Sequence, residues 1–170
     1  NLDLNNDLIN DFQITKSSNS SSNSFYNGPN SFGSWGSSTN SIRLQPMPSN
    51  RFIQGGNGPA ALSYSSSIGS TASWGSGSSY MARQSSWWSY SVYTSTYTTY
   101  IGSTTVTYTN TYTWSTNSNT SYGDWLGQTD KYLGVEFQIL GQTHDGWARL
   151  DVSGGAGCFV QAVYEIKLGT

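Results

Sequence analysis

An acidic loop near the start of the chain is the segment whose residue types and spacing could do chemistry. Oxygen-bearing side chains recur there at alternate positions, and the position without one can offer its backbone carbonyl. Calcium is bound by about six to eight oxygens, and alternate spacing in a loop turns such oxygens toward one point. The predicted calcium ligands are Asp3, Asn5, Asp7, the carbonyl of Ile9, and Asp11.

The loop departs from the EF-hand pattern at two positions. Leu8 stands at the sixth position, where Gly makes the sharp turn, and Ile14 stands at the twelfth, where a bidentate Glu closes the shell. The alternative interpretation of these residues is a solvated acidic turn that leads into the first strand. The sequence leaves both interpretations open.

Residues for catalysis are sparse. His144 is the only histidine, and its neighbour Asp145 would point to the opposite face of a strand, so the pair does not form a base with its orienting partner. His144 and Cys158 have no companions at zinc-ligand spacing. A single Cys cannot form an internal disulfide, so Cys158 is predicted to be buried in a strand, with an intermolecular bridge as the alternative. The sequence predicts that the protein is not an enzyme.

The composition indicates an all-β, exported protein. Only 9% of residues are charged, whereas 15% are aromatic, and Ser, Thr, Asn and Gly dominate the remainder. With a net charge of −2 and scattered Lys and Arg, nucleic acid is not an expected partner. No apolar run is long enough for a membrane span. We therefore expect an extracellular or cell-surface protein with a single antiparallel β-sandwich-like domain over residues 1–170 and long Ser/Thr/Gly-rich loops.

Residues 87–114 are predicted to form a long hairpin that turns at Gly102 and Ser103. Thr residues alternate along one face of its second strand, from Thr105 to Thr113. The opposite face is apolar and is the predicted interface, formed by Val106, Tyr108, Tyr112 and Trp114. An aromatic face of this kind is expected to be covered, either by the domain itself or by an adjacent subunit.

The two ends of the chain frame this hairpin. Residues 1–16 are predicted to hold the acidic loop and the first strand, and residues 17–41 an ordered loop layer that carries aromatic side chains. Residues 131–168 are predicted to form a C-terminal meander, whose first strand buries Leu133, Val135, Phe137 and Ile139. The sequons at Asn19 and Asn119 are candidate sites for covalent glycans.

Two segments resemble a group of uncharacterised secreted bacterial surface β-proteins. The opening, Leu2 to Phe12, is similar to their "LDLNNDGxxDF" motif, and Tyr132 to Leu150 is similar to their "YLGxxF…GQTHYGWxRL" signature. The resemblance implies export and a β-domain, often with a C-terminal sorting signal, and it implies no particular activity.

These observations predict a structural subunit of an extracellular or cell-surface assembly, such as a filament, fibril or matrix. Its expected partner is itself, in a homopolymer, because nearly uncharged Ser, Thr and Tyr faces suit contacts between sheets. The alternative is a carbohydrate-binding or adhesin module that uses exposed aromatic rings to bind polysaccharide.

Overall fold

The computed structural model describes residues 1–152, 160–162 and 167–168, and this part of the chain contains strands but no helix. The predicted all-β, sandwich-like class is confirmed. The strands are β1 (Phe12–Tyr26), β2 (Ser31–Pro46), β3 (Arg51–Ile53), β4 (Trp74–Gly75), β5 (Ser79–Ile101), β6 (Thr104–Tyr122), β7 (Gln128–Ile139), β8 (Gln142–Val152), β9 (Val160–Ala162) and β10 (Lys167–Leu168). The described residues hold no helix with the length and hydrophobicity to cross a membrane.

The strands form two sheets. One has the order β1-β2-β5-β6, and the other has the order β10-β8-β7-β3-β4, with β9 also paired to β8. The β7–β8 hairpin and the antiparallel β8–β9 pair correspond to the predicted meander. Cys158 and part of the predicted C-terminal meander lie outside the described residues.

By its internal contacts the chain divides into two compact units, where the sequence predicts one domain. The core unit comprises Asn1–Ser18, Thr39–Gln84 and Ser121–Thr170, and the sheet unit comprises Asn19–Ser38 and Ser85–Thr120. The difference between them is burial. The core unit has a hydrophobic interior, whereas in the sheet unit only Gly33, Gly36 and Val92 are buried.

The interior of the core unit is built from alternating side chains of both sheets. In β7, Leu133, Val135 and Phe137 are fully buried, and Ile139 packs against them at the periphery, as the alternation predicts. The other sheet supplies buried residues of β1, β2 and β5, namely Phe12, Ile42, Leu44, Met81 and Ala82. Burial of this apolar surface is the main stabilising term of the unit.

The segment at 17–41 is strand, not the ordered loop layer that its composition indicates. β1 and β2 run through it with a short turn between them, in which Gly28 has a φ of 71°. Ser, Asn and Gly have low intrinsic preference for strands, but cross-strand pairing overrides such preferences. The long Ser/Gly-rich loop of the structure joins β3 to β4, over residues 54–73.

Trp125 is the largest fully buried side chain, and a tight turn before it sets its position. Gly123 has a φ of 107°, and a Cβ there would lie 2.2 Å from the carbonyl oxygen of Met81. The Trp125 amide donates to that same carbonyl at 3.1 Å. Close backbone approach at Gly123 therefore brings the indole into the core.

Gly123→Ala is expected to lower the free energy of unfolding by about 2–3 kcal/mol, because a side chain there meets both a disfavoured φ and the Met81 carbonyl. Urea denaturation measures the change. Gly127→Ala is the matched control, since Gly127 has a φ of 68° but nothing within 4 Å of an added Cβ. Equal losses in the two variants would contradict the steric explanation.

Candidate functional site

The sheet unit contains no charged side chain. All seven Lys and Arg and all nine Asp and Glu belong to the core unit, as does His144. Charges are usually spread over a protein surface, so this segregation is the most unusual property of the chain. The sheet unit can interact only through hydroxyl, amide, backbone, aromatic and aliphatic groups.

Large aromatic side chains of the sheet unit are exposed to solvent. In ordinary domains an exposed apolar patch of this kind is an interaction site. The exposed large hydrophobic residues of this unit are Phe25, Tyr26, Phe32, Trp35, Trp87, Trp88, Tyr90, Tyr93, Tyr97, Tyr100, Ile101, Tyr108, Tyr112 and Trp114.

Five of these rings lie along β5 and β6 in two stacked groups, which we together call the aromatic ladder. Tyr97 stacks on Tyr108 with centroids 5.0 Å apart, and Tyr93 stacks on Tyr112 at 6.3 Å. Tyr112 in turn stacks on Trp114 at 6.0 Å. Contacts between the two strands and, for Trp114, within β6 place all five on one face of the hairpin.

The ladder contains three of the four predicted interface residues. Tyr108, Tyr112 and Trp114 are 41%, 47% and 57% exposed, and Val106 is half-buried. Within the part of the chain that the structure describes, these rings stay partly uncovered, and coverage by an adjacent subunit stays a prediction. Tyr93 and Tyr97 were not predicted. Their four-residue spacing, which matches that of Tyr108 and Tyr112 across the Gly102 turn, is the signal that could have identified them.

Both edges of the four-stranded sheet are formed by long strands without charge in the sheet unit. β6 is the terminal strand on one side, and every residue from Thr104 to Tyr122 is exposed except Val106. β6 also has no Pro. Edge strands are normally protected from pairing by Lys, Pro or a bulge, and charge and Pro are missing here.

The other face of the hairpin carries a shallow cleft. Trp88 and Tyr90 line it together with Ser115, Thr116 and Asn117. Aromatic faces combined with hydroxyl and amide groups form a surface that could hold a polar, ring-shaped ligand.

The acidic loop folds through hydrogen bonds from its own backbone. The Leu8 amide donates to Asp3 Oδ2 at 2.9 Å, the Asp7 amide to Asn5 Oδ1 at 3.1 Å, and the Ile9 amide to Asp7 Oδ1 at 2.8 Å. Leu8 has a φ of 69°, so the sharp turn forms at the position where calcium loops have Gly.

Asp11 points into the core unit. Its Oδ2 accepts from the Leu4 amide at 2.7 Å, and its Oδ1 accepts from Asn50 Nδ2 at 3.2 Å. Both oxygens of this predicted ligand thus hold the N-terminal segment in place. Among the described residues, no group of three His, Cys, Asp or Glu side chains is arranged to hold a metal ion. Calcium binding stays a prediction.

The remaining candidate residues are placed separately. Asn19 on β1 and Asn119 on β6 are both exposed. His144 lies in β8, where it is half-buried and pairs with Phe137 of β7.

No family model, curated protein or solved structure matches the chain. The resemblance to secreted bacterial surface proteins stays an expectation.

Asp11→Ala is expected to lower the free energy of unfolding by about 2–4 kcal/mol, because it leaves the buried Leu4 amide without its acceptor and removes one of the two acceptors of Asn50 Nδ2. Asp7→Ala, in the exposed part of the loop, is the control and is expected to change it by about 0.5 kcal/mol or less. Urea denaturation of both variants measures the difference. A change at Asp11 no larger than that at Asp7 contradicts an anchoring role.

Calcium binding is tested by melting temperature. We expect a higher melting temperature in calcium chloride than in EGTA, because a ligand bound only to the folded state stabilises it. The double variant Asp3→Asn/Asp7→Asn, which keeps the side-chain size, is expected to lose the difference. Equal melting temperatures of the unaltered protein in the two buffers would contradict the calcium prediction.

Proposed function

We propose that this chain is a structural subunit of an extracellular or cell-surface assembly, a filament, fibril or matrix, and that it self-associates through the sheet unit. The observation that carries the proposal is the complete segregation of charge into the core unit. Contacts between identical copies about a two-fold axis bring the same surface of each copy together, so a surface of one charge sign repels its own copy there. A surface without charge has no such penalty.

The polar groups of the sheet unit can form hydrogen bonds with identical groups of a second copy. A Ser, Thr or Tyr hydroxyl both donates and accepts a hydrogen bond, so two identical hydroxyl groups can pair. Two Lys or two carboxylates cannot pair in this way. Within the chain such pairing already occurs between Ser21 and Ser37 at 3.0 Å and between Ser38 and Ser86 at 2.7 Å.

The sheet unit also gains stability from being covered. It lacks a hydrophobic interior, and an uncovered sheet is only marginally stable. Covering the exposed half of an aromatic ring contributes about 2 kcal/mol. The aromatic ladder supplies five such rings on one face.

Export is proposed on chemical grounds. Low charge, abundant Ser, Thr and Asn, and a single Cys are compatible with an extracellular surface. The two sequons lie on exposed strands, at Asn19 and Asn119, where a glycan can be attached.

A carbohydrate-binding or adhesin module is the second candidate. The cleft beside Trp88 and Tyr90, with Ser115 and Asn117 at its wall, favours it, because a sugar presents both an apolar ring face and hydroxyl groups. This function uses a single chain, whereas the first needs several copies.

Tyr108→Ser/Tyr112→Ser is expected to leave a folded protein that no longer assembles, because it removes the centre of the aromatic ladder from an exposed face. Light scattering and negative-stain electron microscopy measure assembly, and far-UV circular dichroism checks the fold. Tyr64→Ser is the matched control, since Tyr64 is an 87% exposed aromatic residue of the core unit.

A monodisperse monomer at every concentration overturns the proposal. Sedimentation of that monomer with an insoluble polysaccharide, lost on Trp88→Ala, would support the second candidate.

A further inference from the structure

The sequence of β6 is nearly the same when it is read outward from Asn110 in both directions. Residues at equal distance from Asn110 are identical or of one chemical class over six positions on each side. The matched positions are Thr109 and Thr111, Tyr108 and Tyr112, Thr107 and Thr113, Val106 and Trp114, Thr105 and Ser115, and Thr104 and Thr116.

A strand with this symmetry is complementary to itself. When two copies of a strand pair antiparallel about a two-fold axis, each residue lies opposite the residue at its mirrored position in the other copy. Here every such pair joins like with like. Aromatic, β-branched and hydroxyl pairs of this kind are the stabilising cross-strand pairs of antiparallel sheets.

We propose that β6 pairs antiparallel with β6 of a second copy about a two-fold axis at Asn110. This inference rests on the proposed self-association and names its register. Thr104–Thr116 of each copy form the paired segment, and the two four-stranded sheets become one sheet of eight strands. The exposed, uncharged edge of β6 supplies the unpaired backbone groups that the new hydrogen bonds need.

The pairing extends the aromatic ladder from one copy into the next. Tyr108, already stacked on Tyr97, comes to lie beside Tyr112 of the second copy, which is itself stacked on Tyr93 of that copy. Each row across the joined sheet then holds four tyrosines. On the other face, Thr107, whose hydroxyl is 3.4 Å from that of Thr98, comes to lie beside Thr113 of the second copy.

Other registers lose this matching. A slip of one residue places each Tyr opposite a Thr of the second copy. A slip of two residues places Tyr108 or Tyr112 opposite Asn110. The alternating sequence therefore selects the register centred on Asn110.

The other edge of the sheet lacks such symmetry. In the sheet unit β1 runs from Asn19 to Tyr26, and its aromatic residues, Phe25 and Tyr26, are both at one end. Antiparallel self-pairing of this segment would place the aromatic rings opposite Asn19 and Ser20. The two-fold contact is thus assigned to β6. Asn119 lies three residues beyond the paired segment, so a glycan there is compatible with the contact.

Disulfide trapping tests the register in a Cys158→Ser background. At a two-fold axis Asn110 faces itself, with Cα atoms about 4.5–5.5 Å apart, which is within disulfide range. Asn110→Cys is expected to give a covalent dimer under mild oxidation. The side chain of Asn110 is exposed, so the fold is expected to be unchanged, and circular dichroism checks this.

Val106→Cys is the matched control on the same strand and face. In the proposed register two Val106 positions are eight residues apart along the strand, about 27 Å, and cannot bridge. We expect at least about tenfold more covalent dimer from Asn110→Cys than from Val106→Cys, since pairing raises the effective concentration of facing thiols. A mixture of Val106→Cys with Trp114→Cys is expected to bridge, because these positions face each other.

The outcomes separate the two proposals. Assembly without selective bridging at Asn110 overturns the register and leaves the self-associating subunit standing. Equal bridging at Asn110 and Val106 also overturns the register, because it indicates random collision. Absence of both assembly and bridging overturns the two proposals together.

Discussion

The hydrophobic interior of the core unit is the interaction on which the rest of the structure depends. β7 and β8 bury alternate side chains in it, and β1, β2 and β5 each contribute residues to it. The same three strands continue, in their other segments, into the sheet unit, where almost nothing is buried. Apolar burial is the largest stabilising term in folding. β1, β2 and β5 bury almost no side chains in the sheet unit, so their stability depends on the segments that are buried in the core unit.

The two units use polar groups in different ways. In the core unit, two charged side chains illustrate internal pairing. Arg51 forms two hydrogen bonds of 2.8 Å to the Glu136 carboxylate, which joins neighbouring strands, and Asp11 accepts from buried donors. In the sheet unit, charges are replaced by hydroxyl groups that can pair with copies of themselves. Paired charge thus joins neighbouring strands of the core unit, whereas the sheet unit is held together without charge.

Glycines in β2 allow aromatic rings to lie close to the sheet. A Cβ at Gly33 would be 2.5 Å from the ring of Phe25, and one at Gly36 would be 2.9 Å from the ring of Trp88. Rings that cover strand glycines in this way protect the backbone and are a recognised device of β-sheets. The sheet unit is therefore ordered by ring-to-backbone contact and strand pairing in place of a core. This construction leaves the outer surfaces of the rings available to a partner.

The sequence by itself determined the β class, the hairpin turn at Gly102 and Ser103, the apolar face of β7, and which residues alternate along β6. These features follow from local periodicity and turn chemistry, which act over a few residues. Only the tertiary structure decided that residues 17–41 are strands, that Tyr93 and Tyr97 join the aromatic ladder, and that Asp11 faces Leu4 and Asn50. Each of these depends on a partner distant in sequence, such as Tyr112 for Tyr93 or Asn50 for Asp11. Local preference is too weak to specify such a partner, because strand pairing and burial outweigh it.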